Sequence, residues 1–252
     1  MSESDPVDRQ LRFYRSREHR HLQAAESDFY SAKLAARLAD HLAIPSGARV
    51  LKVGAGFGRF TFHLLEHCES VVALDLTPAA LSTLEEVRDR REIDAARCST
   101  LAADIDALAP DAFDESFDCV VGFFLLHHLP DYSRSIATLS RLLKPAGRIG
   151  FLKPNRLNPL FLAQVAACSD MTWAEEKGMF ALSRRGVESA YRRAGLEDLR
   201  TETAGFFPPQ VLNNIPVSRD LEARLERIKP LHPLLPFLLM SARSGSSPKH
   251  PR

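Results

Sequence analysis

Cysteine is scarce in this chain of 252 residues. The four that occur, Cys68, Cys98, Cys119 and Cys168, are scattered, with no C-x-x-C pair and no zinc-ligand spacing. That excludes a disulfide framework and fits reduced side chains in a cytoplasmic protein. No apolar run reaches the roughly 20 residues of a membrane span. The most apolar stretch, 231–240, is short and broken by Pro233 and Pro236; it reads as the approach to a last core strand over 237–241. An excess of either charge is also lacking. The formal net charge of +1 gives no global pull toward nucleic acid or an acidic membrane. Local basic clusters at 9–20, 88–91 and 184–185 read as solvated helix faces, without any RNA-binding signature. Residues 1–6 are polar and acidic rather than a secretory leader. What remains is an α/β composition, 45% hydrophobic, able to bury a sizeable core.

Against this background one run stands out: Val50-Leu51-Lys52-Val53-Gly54-Ala55-Gly56-Phe57-Gly58. It reads as a buried strand breaking into a glycine-rich turn, with a helix-like stretch at 60–66 behind it. In such a unit ligands sit at the carboxyl end of the strand. The spacing is G-x-G-x-G, which is neither the G-x-G-x-x-G of dinucleotide folds nor a phosphate loop with G-K-[ST]. A second apolar run, 70–76, ends in Asp75, about 20 residues beyond the loop, where an acid can receive a pair of ribose hydroxyls. Asp104 follows Leu101-Ala102-Ala103. Phe117-Asp118-Cys119-Val120-Val121-Gly122 reads as a fourth strand, and Leu126-His127-His128-Leu129-Pro130-Asp131 comes directly after it. Residues 142–151 read as helix end, turn and fifth strand.

Helices alternate with these strands. Helical periodicity predicts one over 27–42, followed by a turn at Ile44-Pro45-Ser46-Gly47. Others are expected at 79–91, opened by Thr77-Pro78, at 132–143, and at 183–194, stopped by Gly195. A sixth strand suits 197–203, and a charged helix suits 219–228. The alternation argues for a mostly parallel sheet with helices on both faces.

Together these motifs resemble the class I S-adenosylmethionine-dependent methyltransferases, in particular their small-molecule branch. The resemblance is strong over about 48–153 and loose elsewhere. It implies a Rossmann-like, doubly wound, seven-stranded sheet over 47–243. It also implies an N-terminal helical cover at 1–46, inserts at about 154–181 and 205–230, and a disordered tail at 244–252. By the same resemblance Gly54, Ala55, Gly56 and Gly58 lie under the cofactor, S-adenosyl-L-methionine. Asp75 with Leu76 holds its ribose, Asp104 and Ile105 face its adenine, and Gly122 and Phe123 border its methionine end.

Two departures stand out. Lys52 occupies the place of an acid that organises the cofactor's amino group, and Lys153 stands where an acid often ends the fifth strand. A cation about 5 Å from the cofactor's ammonium costs about 3 kcal/mol at an effective dielectric of 20. Lysine's flexible stem can also turn the amine away or pair it with the cofactor's carboxylate.

The implied reaction is methyl transfer to a small molecule, at oxygen first. The inserts carry Phe161, Met171, Trp173, Phe180, Phe206 and Phe207, which suits a hydrophobic or aromatic acceptor. His128, and after it His127, is placed to act as general base, since imidazole titrates near neutrality. Lys153 is a third catalytic candidate, able to hold an oxyanion or a substrate carboxylate or phosphate. Adjacent histidines cannot converge on one ion, so no metal is expected. The competing reading is a methyltransferase fold that no longer methylates, motivated by the two lysines. No nucleic acid or membrane partner is expected, and a homodimer is compatible with the sequence.

Overall fold

The computed structural model describes residues 28–109, 111–158 and 182–245. Seven strands form one sheet in the order β3-β2-β1-β4-β5-β7-β6. They are β1 (Arg49–Val53), β2 (Ser70–Asp75), β3 (Cys98–Ala102), β4 (Phe117–Phe123), β5 (Leu143–Pro154), β6 (Leu196–Ala204) and β7 (Phe237–Ser244). The first five pair in parallel. Strand β7 runs antiparallel to both β5 and β6. The order reverses between β1 and β4, the position where open α/β sheets form a crevice.

Two apolar clusters cover the two faces. Helix α1 (Phe29–Leu42) begins at Asp28, whose side chain accepts from the Ser31 amide, and ends at Ala43 in the left-handed region. Its Leu34, Leu38 and Leu42 recur every fourth residue and are buried, as a helix stripe facing a core must be. They join Val50, Ala73, Val121 and Leu152 of the sheet, together with α2 (Thr61–Leu64) and α3 (Pro78–Arg90). A Cβ on Gly150 would meet Leu42 Cδ1 at 2.9 Å, so α1 rests closely on β5. The opposite face packs α4 (Tyr132–Ser140) and α5 (Arg184–Arg193) on Leu51, Val53, Val120, Ile149, Phe151 and Met240.

The expected seven strands and the helices on both faces are present. Several boundaries differ for local reasons. The helix expected at 60–66 is a single turn, which gives way to turns from Leu65 before β2 begins at Ser70. The span 205–230 holds two helices, α6 (Pro209–Asn214) and α7 (Val217–Leu225). Pro208 and Pro209 start the first, and Pro216 caps the second. Ser244, assigned to the tail from sequence, pairs with Leu196 as the last residue of β7. Residues 1–27, most of the first insert and the remainder of the tail lie outside the described residues. So do Phe161, Met171, Trp173 and Phe180. Cys68, Cys98 and Cys119 are free and buried, and burial pushes Cys98 and Cys119 up to about 11 and Cys68 to about 12. They are packing residues rather than reactive thiols.

Candidate functional site

The carboxyl ends of β1 to β4 meet in one cleft. Gly54, Asp75, Thr77, Asp104, Phe124 and His128 are among its walls, with Leu76, Ile105 and Leu129 as apolar surface. The loop after β1 is shaped by glycine. Gly54 has φ +60° and Gly56 φ +53°, conformations that cost little only without a Cβ. Nothing lies within 4 Å of where a Gly56 Cβ would stand, so the loop faces open space there. Gly58 serves packing, since its missing Cβ leaves room for Phe62 and Leu84. Ala55 is buried, and its amide binds the Leu74 carbonyl at 3.0 Å, tying the loop to β2.

Asp75 ends β2 and is nearly buried. One carboxylate oxygen accepts from the Gly56 amide at 2.7 Å and the other from the Thr77 amide at 2.9 Å. A carboxylate has about four acceptor positions, so two stay available on the cleft side. Asp104 accepts from the Asp106 amide at 2.9 Å with one oxygen, and its neighbour Ile105 is buried against the core. A planar nucleoside fits this donor set: paired acceptors for vicinal hydroxyls, an acceptor for an amine, and apolar walls between them.

The other residues expected at the site are placed less uniformly. Phe123 lines the cleft and stacks on Phe60, centroids 4.4 Å apart. Gly122 does not line it; its missing Cβ makes room for the Phe151 ring, which would lie 2.6 Å away. Lys52 is 1% exposed and sits beneath the loop rather than in the cleft wall. Its amine donates to the Val53 carbonyl at 3.1 Å and the Gly54 carbonyl at 2.5 Å, and lies 5.5 Å from the Phe123 ring centre. Burial lowers its pKa to about 8, against the opposing pull of Asp75.

Lys153 lies on the opposite face of the sheet. The register makes this explicit: Lys52 aligns with Val121 and then Gly150, so Lys153 is out of phase and follows Phe151. Its amine donates to the carbonyls of Pro154 and Leu182, each at 3.1 Å. Burial, with Arg156 adding to it, lowers its pKa to about 8. The two lysines therefore do not share a site.

His128 borders the cofactor cleft, and burial lowers its pKa to about 4. His127 is more buried, with its ring 4.0 Å from that of His128. Its pKa is held well below the usual histidine value by burial first, then by His128 and Lys153. Both rings are thus neutral at physiological pH, and in this setting His128 is a weaker base than the near-neutral imidazole expected from the sequence.

Sequence reasoning missed Phe124 and Leu125. Phe124 has φ +53°, uncommon for a bulky residue. Its amide bond to the Leu152 carbonyl at 2.8 Å and ring contacts with Phe60 and Phe237 hold it there. Leu125 covers Gly54, and a Cβ on that glycine would meet it at 2.8 Å. The run Phe-Phe-Leu after Gly122 was the available signal. Beneath the rim, Arg59 from the glycine loop binds Asp28 and Ser31 of α1, and Asn213 of α6 binds the same Asp28. The loop is therefore anchored to the α1 cover. Burial would raise the Asp28 pKa, but the Ser31 bond and the Arg59 charge outweigh it and lower it.

This geometry defines a class: a doubly wound sheet with an acid-lined crevice at its switch point. The comparisons narrow it. Residues 51–149 match the family described as a methyltransferase domain. An O-methyltransferase of ubiquinone biosynthesis from Nitrosococcus oceani is 32% identical over 158 residues, 60% of this chain and 64% of that protein. A malonyl-[acyl-carrier protein] O-methyltransferase from Paenibacillus sp. is 33% identical over 157 residues, 60% of this chain and 56% of that protein. An uncharacterised methyltransferase of Schizosaccharomyces pombe is 30% identical over 107 residues, which span 38% of its length and 41% of this chain. Among solved structures, magnesium protoporphyrin IX methyltransferase from Synechocystis aligns with a TM-score of 0.61 at 11% identity, over 97% of this chain and 100% of that one. The [4+2]-cyclase SpnF aligns with a TM-score of 0.59 at 15% identity, over 88% and 84%. Over residues 51–149 the chain is similar to methyltransferases, and it shares the fold of solved ones.

Proposed function

We propose that this protein transfers a methyl group from S-adenosyl-L-methionine to a small acceptor molecule, most directly to an oxygen. The observation that carries the reading is the Asp75 carboxylate. It holds the glycine loop through Gly56 and the turn after β2 through Thr77, and it faces a cleft walled by Asp104 and Ile105. The sequence relatives named O-methyltransferases support oxygen as the acceptor atom.

When bound, the cofactor supplies an electrophilic methyl on a sulfonium. The chain's own part is to hold, orient and exclude water, which supplies most of the acceleration in a displacement of this kind. Asp75 holds the ribose, and the 54–58 loop lies under the methionine portion. The neutral ring of His128 takes the proton from an acceptor hydroxyl, with His127 packed behind it. Phe206 and Phe207, half-buried with amides held by Glu222, support an apolar or aromatic acceptor. Among the described residues no helix is long and apolar enough to cross a membrane, and no group of side chains could hold a metal ion. We place the protein in the cytoplasm, acting on a free small molecule without nucleic acid, as a monomer or homodimer.

A second reading, a member of the fold that has left methylation, rests on Lys52. Its buried charge lies under the loop that would carry a cationic cofactor. The fold alone does not decide, since SpnF shares it and is a cyclase. Transfer of labelled methyl from S-adenosylmethionine to a panel of phenolic and carboxylic acceptors tests the first reading. No cofactor binding by the folded protein would favour the second.

A further inference from the structure

A second cleft, of about 750 Å³, opens at the other end of the rim. Its walls come from the ends of β5 and β6, the start of β7, the entry to α5 and Arg37 of α1. Five cations line it: Arg37, Lys153, Arg156, Arg184 and Arg185. Two acids do, Glu202 and Glu226. Both acids are already engaged. Glu202 faces Arg37 and His41, and Glu226 binds Lys33 and the Gly205 amide. Arg185 makes no ion pair among the described residues.

Lys153 is the central observation. It is 1% exposed and lines this cleft. Two of its three donors go to backbone carbonyls, and no carboxylate among the described residues binds it. A buried ammonium without a counter-ion is costly, and an oxyanion is the group that would compensate it. Arginine forks around such an amine match the geometry of carboxylate and phosphate oxygens. The cleft is also linked to the first one. Lys153 is close enough to act on the titration of His127, and the His127 ring packs on His128, which borders the cofactor cleft.

We propose that this second cleft binds an oxyanion group, carboxylate or phosphate, of the methyl acceptor, with Lys153 as its buried anchor and Arg185 at its mouth. The acceptor is then an acid whose anionic end lies on the β5–β6 side while its nucleophile points toward His128. The proposal rests on the methyltransferase reading above for the word acceptor; the anion site itself does not.

The test uses inorganic phosphate and acetate as probes of the full chain. Melting temperature is followed against probe concentration at constant ionic strength, which gives an apparent affinity. Phosphate should stabilise the wild type. The apparent affinity should fall about tenfold in Lys153→Met, the loss of one charge-assisted contact, and a few-fold in Arg185→Gln. Stabilisation by acetate as well as phosphate assigns a carboxylate-type site, and by phosphate alone a phosphate-type site; both support the proposal. Should Lys153→Met fail to fold, Arg185→Gln on the surface decides. No stabilisation of the wild type, or equal affinities in wild type and folded variants, overturns the site. Titration of S-adenosylhomocysteine into the same wild type separates the two readings. Anion binding without cofactor binding would keep the cleft as an anion site and remove the acceptor assignment.

Discussion

The two ends of the sheet's upper rim differ in charge and in how that charge is satisfied. In the cleft over β1, β2 and β3 the charged groups on the walls are acids, and Asp75 is partly tied to the amides of Gly56 and Thr77, Asp104 to that of Asp106. Over β5, β6 and β7 they are mainly cations, and the buried one, Lys153, is tied among the described residues only to carbonyls. An acid bound to amides is already stabilised and reads hydroxyls and amines without further charge. A buried ammonium bound to carbonyls still lacks a counter-charge. The first end suits a nucleoside and the second an anion, so one sheet presents two chemistries, with His127 and His128 at the junction.

That contrast can be broken at several points. The junction comes first. His128→Gln should lower the transfer rate by about 10²–10⁴, the usual contribution of a positioned general base, with cofactor affinity little changed. Single-turnover kinetics beside a cofactor titration separates the two effects, and a rate within twofold of wild type would remove His128 from the chemistry. Next is the acidic end. Asp75→Ala removes two charged acceptor contacts and should weaken cofactor binding roughly hundredfold, about 3 kcal/mol.

Lys52 sharpens the comparison from beneath. Its pKa in the fold is about 8 against an ordinary 10.5. The unfolded chain therefore binds more protons between those values, and stability from this site rises as pH climbs from 8 to 10.5. Below pH 8 the full cost of the buried charge is present, about 3 kcal/mol. Lys52→Met should be more stable than wild type at pH 7 and lose that advantage by pH 10.5, as read by urea melts at both pH values. Smallest is a packing control away from both ends. Tyr191 is fully buried and donates to the Met240 carbonyl at 2.9 Å. Tyr191→Phe should cost about 1–2 kcal/mol and leave both ligand affinities unchanged.

Much of the acidic end was legible in the sequence, because its signals are local. A strand that breaks into glycines, and acids at or just past the ends of the next two strands, each fall within a few residues. The two lysines were not separable in this way. Lys52 and Lys153 sit at similar places on their strands, and their opposite faces follow from the register through β4, with Val121 beside Gly150. Pairing of that kind is set by the tertiary fold. Gly122 misled for a related reason: a glycine at a strand end signals a close approach, but the neighbour is the Phe151 ring. Helix α6 escaped notice because six residues between prolines give too little periodicity to register.

The most direct test of the central claim is calorimetric titration of S-adenosylhomocysteine into the wild type and Asp75→Ala, with circular dichroism to confirm that both are folded. Micromolar binding by the wild type, weakened about a hundredfold in the variant, is the result expected from the β1–β4 cleft. No binding by the folded wild type, or equal binding by both proteins, would contradict the assignment of that cleft to the cofactor.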